Sequence, residues 1–160
     1  GITRENMIEN HGGWFYEMHD LGYNYRLTDI QSALGITQLA KNKKGVKRRN
    51  QIANNYKRAF EGRIKFQSLS SNSLNAHHLF IIEVEDRKGL YDFLRSLNIF
   101  TQIHYIPIHI LPYYNKIGYQ GADLINSEEY YKRCISLPMF PTLTLKEQRF
   151  VIEKINLFLK

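Results

Sequence analysis

The stretch from Thr28 to Gly62 constrains the fold of this chain more than any other part of the sequence. Thr28 and Gln31 have the spacing of a capping box, in which the threonine oxygen accepts a free backbone N–H and the glutamine bonds back. Apolar residues then recur at helical spacing, first at Ile30, Ala33, Leu34 and Ala40, and later at Ile52, Ala53, Tyr56, Ala59 and Phe60. The pattern predicts two helices, separated or kinked at Gly45 and ended by Gly62.

Residues 63–160 have the pattern of a small α/β unit. The predicted strands are residues 63–67, 78–85 and 99–106, and the predicted helices are residues 88–97 and 127–134. A second capping box, Thr144 with Glu147, begins a last helix, and residues 136–141 are interpreted as a stiff structural turn. We therefore expect an α/β fold, although the short connections do not decide between parallel and antiparallel strands.

Composition narrows the functional class only a little. No apolar run approaches the roughly 20 residues that a membrane helix needs, so we expect no membrane partner. The single cysteine, Cys134, cannot form an internal disulfide, and a reducing cytoplasm is the expected location. The chain begins at Gly1 without an initiator methionine, which we interpret as a cut inside a longer protein.

The net charge of +7 includes a dense basic cluster at residues 41–49. Six of the nine residues from Lys41 to Arg49 are basic. Such a cluster can bind nucleic acid or phosphate, but more often it is the solvated face of a helix. Because no base-stacking motif, zinc-finger spacing or helix-turn-helix accompanies it, we expect no nucleic-acid partner.

Residues 22–31 form the first candidate site. Asn24 and Arg26 come just before a predicted helix N-terminus, where free N–H groups and the helix dipole favour anions. An ordinary helix lead-in, with Asn24 in a turn, explains the same residues. The residues alone leave both interpretations open.

Residues 104–114 form the second candidate site, at the predicted end of a strand. The residues of interest are His104, Tyr105, Ile106, Pro107 and His109. Loops at strand ends often hold ligands because a rigid sheet fixes their position, and both histidines can act as acid, base or hydrogen-bond partner. Their separation matches no standard zinc spacing, so we expect no metal. Packing in an aromatic-rich loop is the alternative.

Three segments together resemble one known family, the DegT/StrS aminotransferases. These segments are residues 22–35 with Gln38 and Leu39, residues 104–109 with residues 112–114, and residues 136–138 with residues 140–141. They occur in the family's order across nearly the whole chain. Residues 14–17 are most similar to the branch that makes the 4-amino sugar precursor of pseudaminic acid, a cell-surface polysaccharide component.

The resemblance implies a fold type I enzyme that works as a homodimer with its active sites at the subunit interface. A lysine of the large domain carries pyridoxal 5'-phosphate (PLP), glutamate donates the amino group, and a nucleotide-linked 4-keto-6-deoxy sugar accepts it. Residues 1–62 would then be the end of the large domain with connecting helices, and residues 63–160 the small C-terminal α/β domain.

The same resemblance assigns roles to individual residues. Asn24 would reach the partner subunit's cofactor phosphate, with Arg26 in a supporting role. His104 and Tyr105 are the first substrate-side candidates, in a loop that includes Ile106, Pro107 and His109. The cofactor lysine is expected upstream of Gly1, so we expect the chain alone to contain no catalytic residue, to lack PLP and to be inactive. A stand-alone nucleotide-sugar binding module, or a basic nucleic-acid-interacting protein, is the alternative.

Overall fold

The computed structural model describes residues 2–23, 25–70, 72–118 and 124–160. The chain divides into two compact units, Gly1–Ala40 and Lys41–Lys160. The predicted assignment of residues 1–62 to a large domain concerns a complete enzyme and stays a prediction. No helix in the described part of the chain is long and apolar enough to cross a membrane.

A short strand pair organises the beginning of the first unit. Strands β1 (Ile2–Thr3) and β2 (Glu17–Met18) pair antiparallel. The Glu17 carboxylate accepts hydrogen bonds from the backbone N–H groups of Ile8 at 2.8 Å and Glu9 at 2.7 Å. Its other contact is the His19 ring, with Nε2 at 2.6 Å. These N–H groups, more than His19, hold the pKa of Glu17 below its ordinary value, because they stabilise the ionised carboxylate.

Helix α1 (Asp29–Phe60) is one continuous helix of 32 residues. Its predicted capping box is confirmed, since Gln31 N–H donates to Thr28 Oγ1 at 3.3 Å and Thr28 N–H donates to Gln31 Oε1 at 2.9 Å. The predicted separation into two helices at Gly45 is wrong. A glycine inside a helix costs only about 1 kcal/mol relative to alanine, which the hydrogen bonds and packing of its neighbours outweigh. The helix ends before Gly62, which has φ +69°.

The second unit contains a three-stranded antiparallel sheet in the order β3-β4-β5, formed by Lys65–Phe66, Phe80–Glu83 and Cys134–Leu137. The helices are α2 (Arg87–Ser96), α3 (Pro112–Lys116), α4 (Ile125–Arg133) and α5 (Leu145–Phe158). Both hydrogen bonds of the predicted α5 capping box are present. The core buries apolar side chains from α1, α2, α5 and the sheet, among them Tyr56, Ile82, Leu94, Ile135 and Ile155.

Two details of the predicted sheet are wrong. Residues 99–106 form no strand and pair with the sheet only through a single bridge between Gln102 and Ser136. Gln102 exchanges two backbone hydrogen bonds with Ser136, and Pro107 after the segment has no N–H with which the pairing could continue. Ser136 and Leu137, predicted within a turn, are the end of β5.

Candidate functional site

The first predicted site lies before α1. Asn24, the predicted cofactor-phosphate ligand, lies outside the described residues, so its role stays a prediction. The Tyr23 and Tyr25 rings on either side of it are stacked with centroids 5.1 Å apart, and both are exposed. Arg26 is also exposed, three residues before the first residue of α1. The described part of this site thus presents two aromatic rings and one guanidinium group to the surroundings.

The second predicted site is residues 104–114, and we name its first part, residues 104–111, the histidine loop. His104 is half-buried, and its Nδ1 lies 2.8 Å from Ser136 Oγ on β5. The ring of Tyr105 contacts the His104 ring edge-on at 4.6 Å, and Tyr105 is 71% exposed. Ile106 beside it is 47% exposed. The loop therefore carries an anchored imidazole next to an accessible phenol and an accessible apolar side chain.

The second half of the histidine loop is held differently. Pro107 is buried and begins a short 3-10 turn over Ile108–Ile110. The His109 side chain is only 10% exposed, and its Nε2 lies 2.9 Å from Glu128 Oε1 on α4. His104 thus contacts strand β5, whereas His109 contacts helix α4. Glu128 thus engages Nε2 of His109, and the predicted substrate contact of His109 stays a prediction.

The family assignment follows from comparison with known proteins. The profile of the DegT/DnrJ/EryC1/StrS aminotransferase family matches residues 2–156. The chain belongs to this family. The family predicted from the three motifs is therefore confirmed.

Three relatives show how far the similarity extends. The chain is 36% identical to the spore coat polysaccharide biosynthesis protein SpsC of Bacillus subtilis, over 94% of this chain and 41% of SpsC. It is 31% identical to the UDP-4-amino-4,6-dideoxy-N-acetyl-beta-L-altrosamine transaminase of Campylobacter jejuni, over 94% of this chain and 43% of that protein. The structure matches Helicobacter pylori PseC, an aminotransferase involved in the biosynthesis of pseudoaminic acid, with TM-score 0.79, 28% identity and coverage of 92% of this chain and 42% of PseC. The chain spans about two fifths of the length of these relatives.

The lysines of this DegT/StrS-family chain do not fit the cofactor chemistry of the family. A lysine that forms a Schiff base with PLP sits in an enclosed pocket, where its ammonium can lose its proton. None of the lysines in the described part of the chain is buried. Several are ion-paired at the surface, such as Lys88 with Asp92 at 2.6 Å and Lys132 with Glu129 at 2.7 Å. The described lysines of this chain therefore lack the surroundings of a Schiff-base lysine.

The basic cluster has a structural use that the sequence did not reveal. Arg49 Nη1 donates to the backbone carbonyl of Met139 at 2.7 Å, and to those of His77 and His78 at 3.2 Å each. Arg48 Nη2 donates to the carbonyl of Leu143. The two arginines thus attach α1 to the turn after β5 and to the segment before β4. The four lysines of the cluster remain exposed.

Two site residues, Ser136 and Glu128, were missed by sequence reasoning. The sequence held a signal for Ser136 in its neighbours Ile135 and Leu137, because a serine between apolar residues is often buried and then needs a hydrogen-bond partner. No signal distinguished Glu128 from the neighbouring Glu129. Among the described residues, no group of three or more His, Cys, Asp or Glu side chains could hold a metal ion.

Proposed function

We propose that this chain is the C-terminal part of a PLP-dependent aminotransferase that moves the amino group of glutamate to a nucleotide-linked 4-keto-6-deoxy sugar. Family membership supports the reaction class. The names of the Campylobacter jejuni and Helicobacter pylori relatives support an amino sugar of the pseudaminic acid type. The chain would work in the cytoplasm as part of a homodimer.

The observation that carries the proposal is the histidine loop. It presents a half-buried imidazole held from β5, beside the exposed Tyr105 and Ile106. An imidazole and a phenol can both hydrogen-bond to the sugar or phosphate oxygens of a nucleotide sugar. An accessible apolar side chain gives a surface for the deoxy carbon of the sugar. The loop therefore has the chemistry of a sugar-nucleotide contact.

In this proposal the cofactor and its lysine come from outside the described residues. PLP, when bound, carries the amino group between donor and acceptor. The residues of this chain bind and orient: His104 and Tyr105 contact the sugar nucleotide, Asn24 contacts the cofactor phosphate across the dimer, and Arg26 supports that contact. The chain by itself would then have no transaminase activity.

The test is to express the complete reading frame that contains this chain and assay it with PLP, glutamate and a UDP-4-keto-6-deoxy sugar, following 2-oxoglutarate. We expect turnover by the complete product and none by residues 1–160 alone. His104→Gln should raise KM for the sugar nucleotide about tenfold, the effect of about 1.4 kcal/mol of lost binding.

The matched control is His78→Gln, because His78 is exposed and its recorded hydrogen bond uses the backbone carbonyl rather than the ring. It should leave KM unchanged. A complete product that transfers no amino group, or equal effects of the two histidine variants, would contradict the proposal. Binding of UDP-N-acetylglucosamine by residues 1–160 without PLP, together with an inactive complete product, would identify a binding module instead.

A further inference from the structure

Ser136 is held rigidly on both sides of β5. It is 4% exposed. On one side β5 pairs with β4, where Ser136 is opposite Ile81. On the other side the Ser136 N–H donates to Gln102 O at 2.8 Å, and Gln102 N–H donates to Ser136 O at 3.4 Å. The backbone of Ser136 is therefore held by the sheet on one side and by the segment that leads into the histidine loop on the other.

Among the described residues, the Ser136 hydroxyl has one side chain as its hydrogen-bond partner. The hydrogen-bond partner of Oγ there is His104 Nδ1, at 2.8 Å. A buried hydroxyl that donates no hydrogen bond is costly, and a serine hydroxyl has one proton to donate. We infer that Oγ–H donates to Nδ1. In the neutral ring the proton of His104 is then on Nε2.

We propose that Ser136 is a positioning residue that holds the His104 imidazole in its Nε2–H form and directs this N–H away from β5. The two nitrogens of an imidazole lie on different sides of the ring, so anchoring Nδ1 on the buried strand turns Nε2 outward. His104 then offers a donor, rather than a lone pair, to an oxygen of the ligand. The identity of that ligand as a sugar nucleotide rests on the proposed function; the tautomer and orientation do not.

His104 and His109 contact the protein through different ring nitrogens. In His109 the nitrogen next to a protein group is Nε2, which contacts the Glu128 carboxylate. Glu128 lies on α4 and is 45% exposed at its side chain. The buried serine therefore leaves Nε2 available in one histidine, whereas the carboxylate uses Nε2 in the other.

The first experiment reads the tautomer directly. The full chain is labelled with 15N-histidine, and long-range 1H–15N correlations at a pH where the ring is neutral identify the protonated nitrogen. The signal is assigned by its loss in His104→Gln. We expect the Nε2–H form in the unmodified chain and in Ser136→Thr, which keeps the hydroxyl. In Ser136→Ala the ratio of the two tautomers should fall about fivefold toward that of free histidine.

Ser96→Ala is the matched control, because the Ser96 hydroxyl is exposed and donates to Phe93 O within its own helix. It should leave the His104 signal unchanged. Amide protection at Gln102 and Ser136 reports whether the backbone bridge survives in each variant. An Nδ1–H form in the unmodified chain, or an unaltered ratio in a folded Ser136→Ala chain, would overturn the proposal.

The second experiment separates the positioning role from the proposed function. In the complete enzyme, Ser136→Ala should raise KM for the sugar nucleotide about fivefold with little change in kcat, and it should add nothing in a His104→Gln background. An undiminished effect of Ser136→Ala in that background would overturn action through His104. If the tautomer result holds but neither substitution changes KM, the positioning role stands and the proposed substrate role of His104 fails.

Discussion

The two halves of helix α1, residues 29–44 and residues 45–60, differ in how far their apolar side chains are exposed. In the first half the apolar side chains are exposed, with Ile30 at 83%, Leu34 at 60% and Leu39 at 72%. In the second half Ile52 and Phe60 are fully buried in the core of the second unit. Both halves have apolar residues at helical spacing. The comparison teaches that periodicity predicts the helix, because the backbone hydrogen bonds are local, but does not predict whether its apolar face is covered.

We expect the second half of α1 to contribute more than the first half to the free energy of unfolding. Burial of apolar side chains is the main favourable contribution to folding. In the second half, Ile52, Tyr56 and Phe60 are part of the core. Arg48 and Arg49 add hydrogen bonds to carbonyls outside α1. The first half of α1 has helical hydrogen bonds and a capping box at its start. Four tests probe the stability of the two units.

The largest effect is expected from truncating the buried half. Ile52→Ala should lower the free energy of unfolding by about 3 kcal/mol, because it removes a fully buried side chain and leaves a cavity. Leu39→Ala, its counterpart in the exposed half, should change this free energy by less than about 0.5 kcal/mol. Urea denaturation followed by circular dichroism measures both. Similar losses for the two variants would mean that the exposed half also has a partner surface.

Removing the arginine contact should have the next largest effect. Arg49→Met keeps the length of the side chain but loses three hydrogen bonds to carbonyls, and should cost about 2 kcal/mol. Lys47→Met on the same helix is the control, since Lys47 is exposed. The same urea titration applies. If the two substitutions cost the same, loss of charge rather than loss of these hydrogen bonds explains the result.

Two glycines provide a smaller and more discriminating test. Gly45→Ala should stabilise the chain by about 0.5–1 kcal/mol, because alanine is the better helix former. The new Cβ would lie 3.7 Å from Pro141 Cγ, an ordinary contact. Gly35→Ala, whose Cβ would meet nothing within 4 Å, should raise the helical signal but leave the midpoint of thermal unfolding almost unchanged. Equal gains in midpoint would show that the two halves unfold together.

The smallest effect is a pH dependence in the first unit. Backbone N–H groups of Ile8 and Glu9, and then His19, lower the pKa of Glu17 from 4.5. A carboxyl whose pKa is lower in the folded state stabilises that state above its unfolded pKa, and the stabilisation is lost as pH falls through the folded value. Protection of the Ile8 and Glu9 amides from hydrogen exchange should thus be constant above about pH 4.5 and fall below it. The loss of amide protection at low pH should be absent in Glu17→Gln and unchanged in Glu5→Gln. If the loss persists in Glu17→Gln, another titrating group causes it.

Local signals were the most reliable part of the sequence. The capping boxes at Thr28 and Thr144 both form, because each joins a side chain to a backbone group only three residues away. The strand predicted over residues 99–106 does not form beyond one bridge, because a strand requires a partner with the right register. The helix also continues through Gly45, because the hydrogen bonds and packing of the neighbouring residues outweigh the cost of one glycine.

The family and the starts of α1 and α5 could be predicted from the sequence. Each family motif is a run of neighbouring residues, and each capping box joins residues only three positions apart. The contacts of the two histidines in the histidine loop depend instead on the tertiary structure. Ser136 lies 32 residues from His104, and Glu128 lies 19 residues from His109. Such partners meet only after the sheet and α4 have packed, since no short-range rule places a hydroxyl beside Nδ1 of one imidazole and a carboxylate beside Nε2 of the other. The chemistry available to each histidine is therefore a property of the fold.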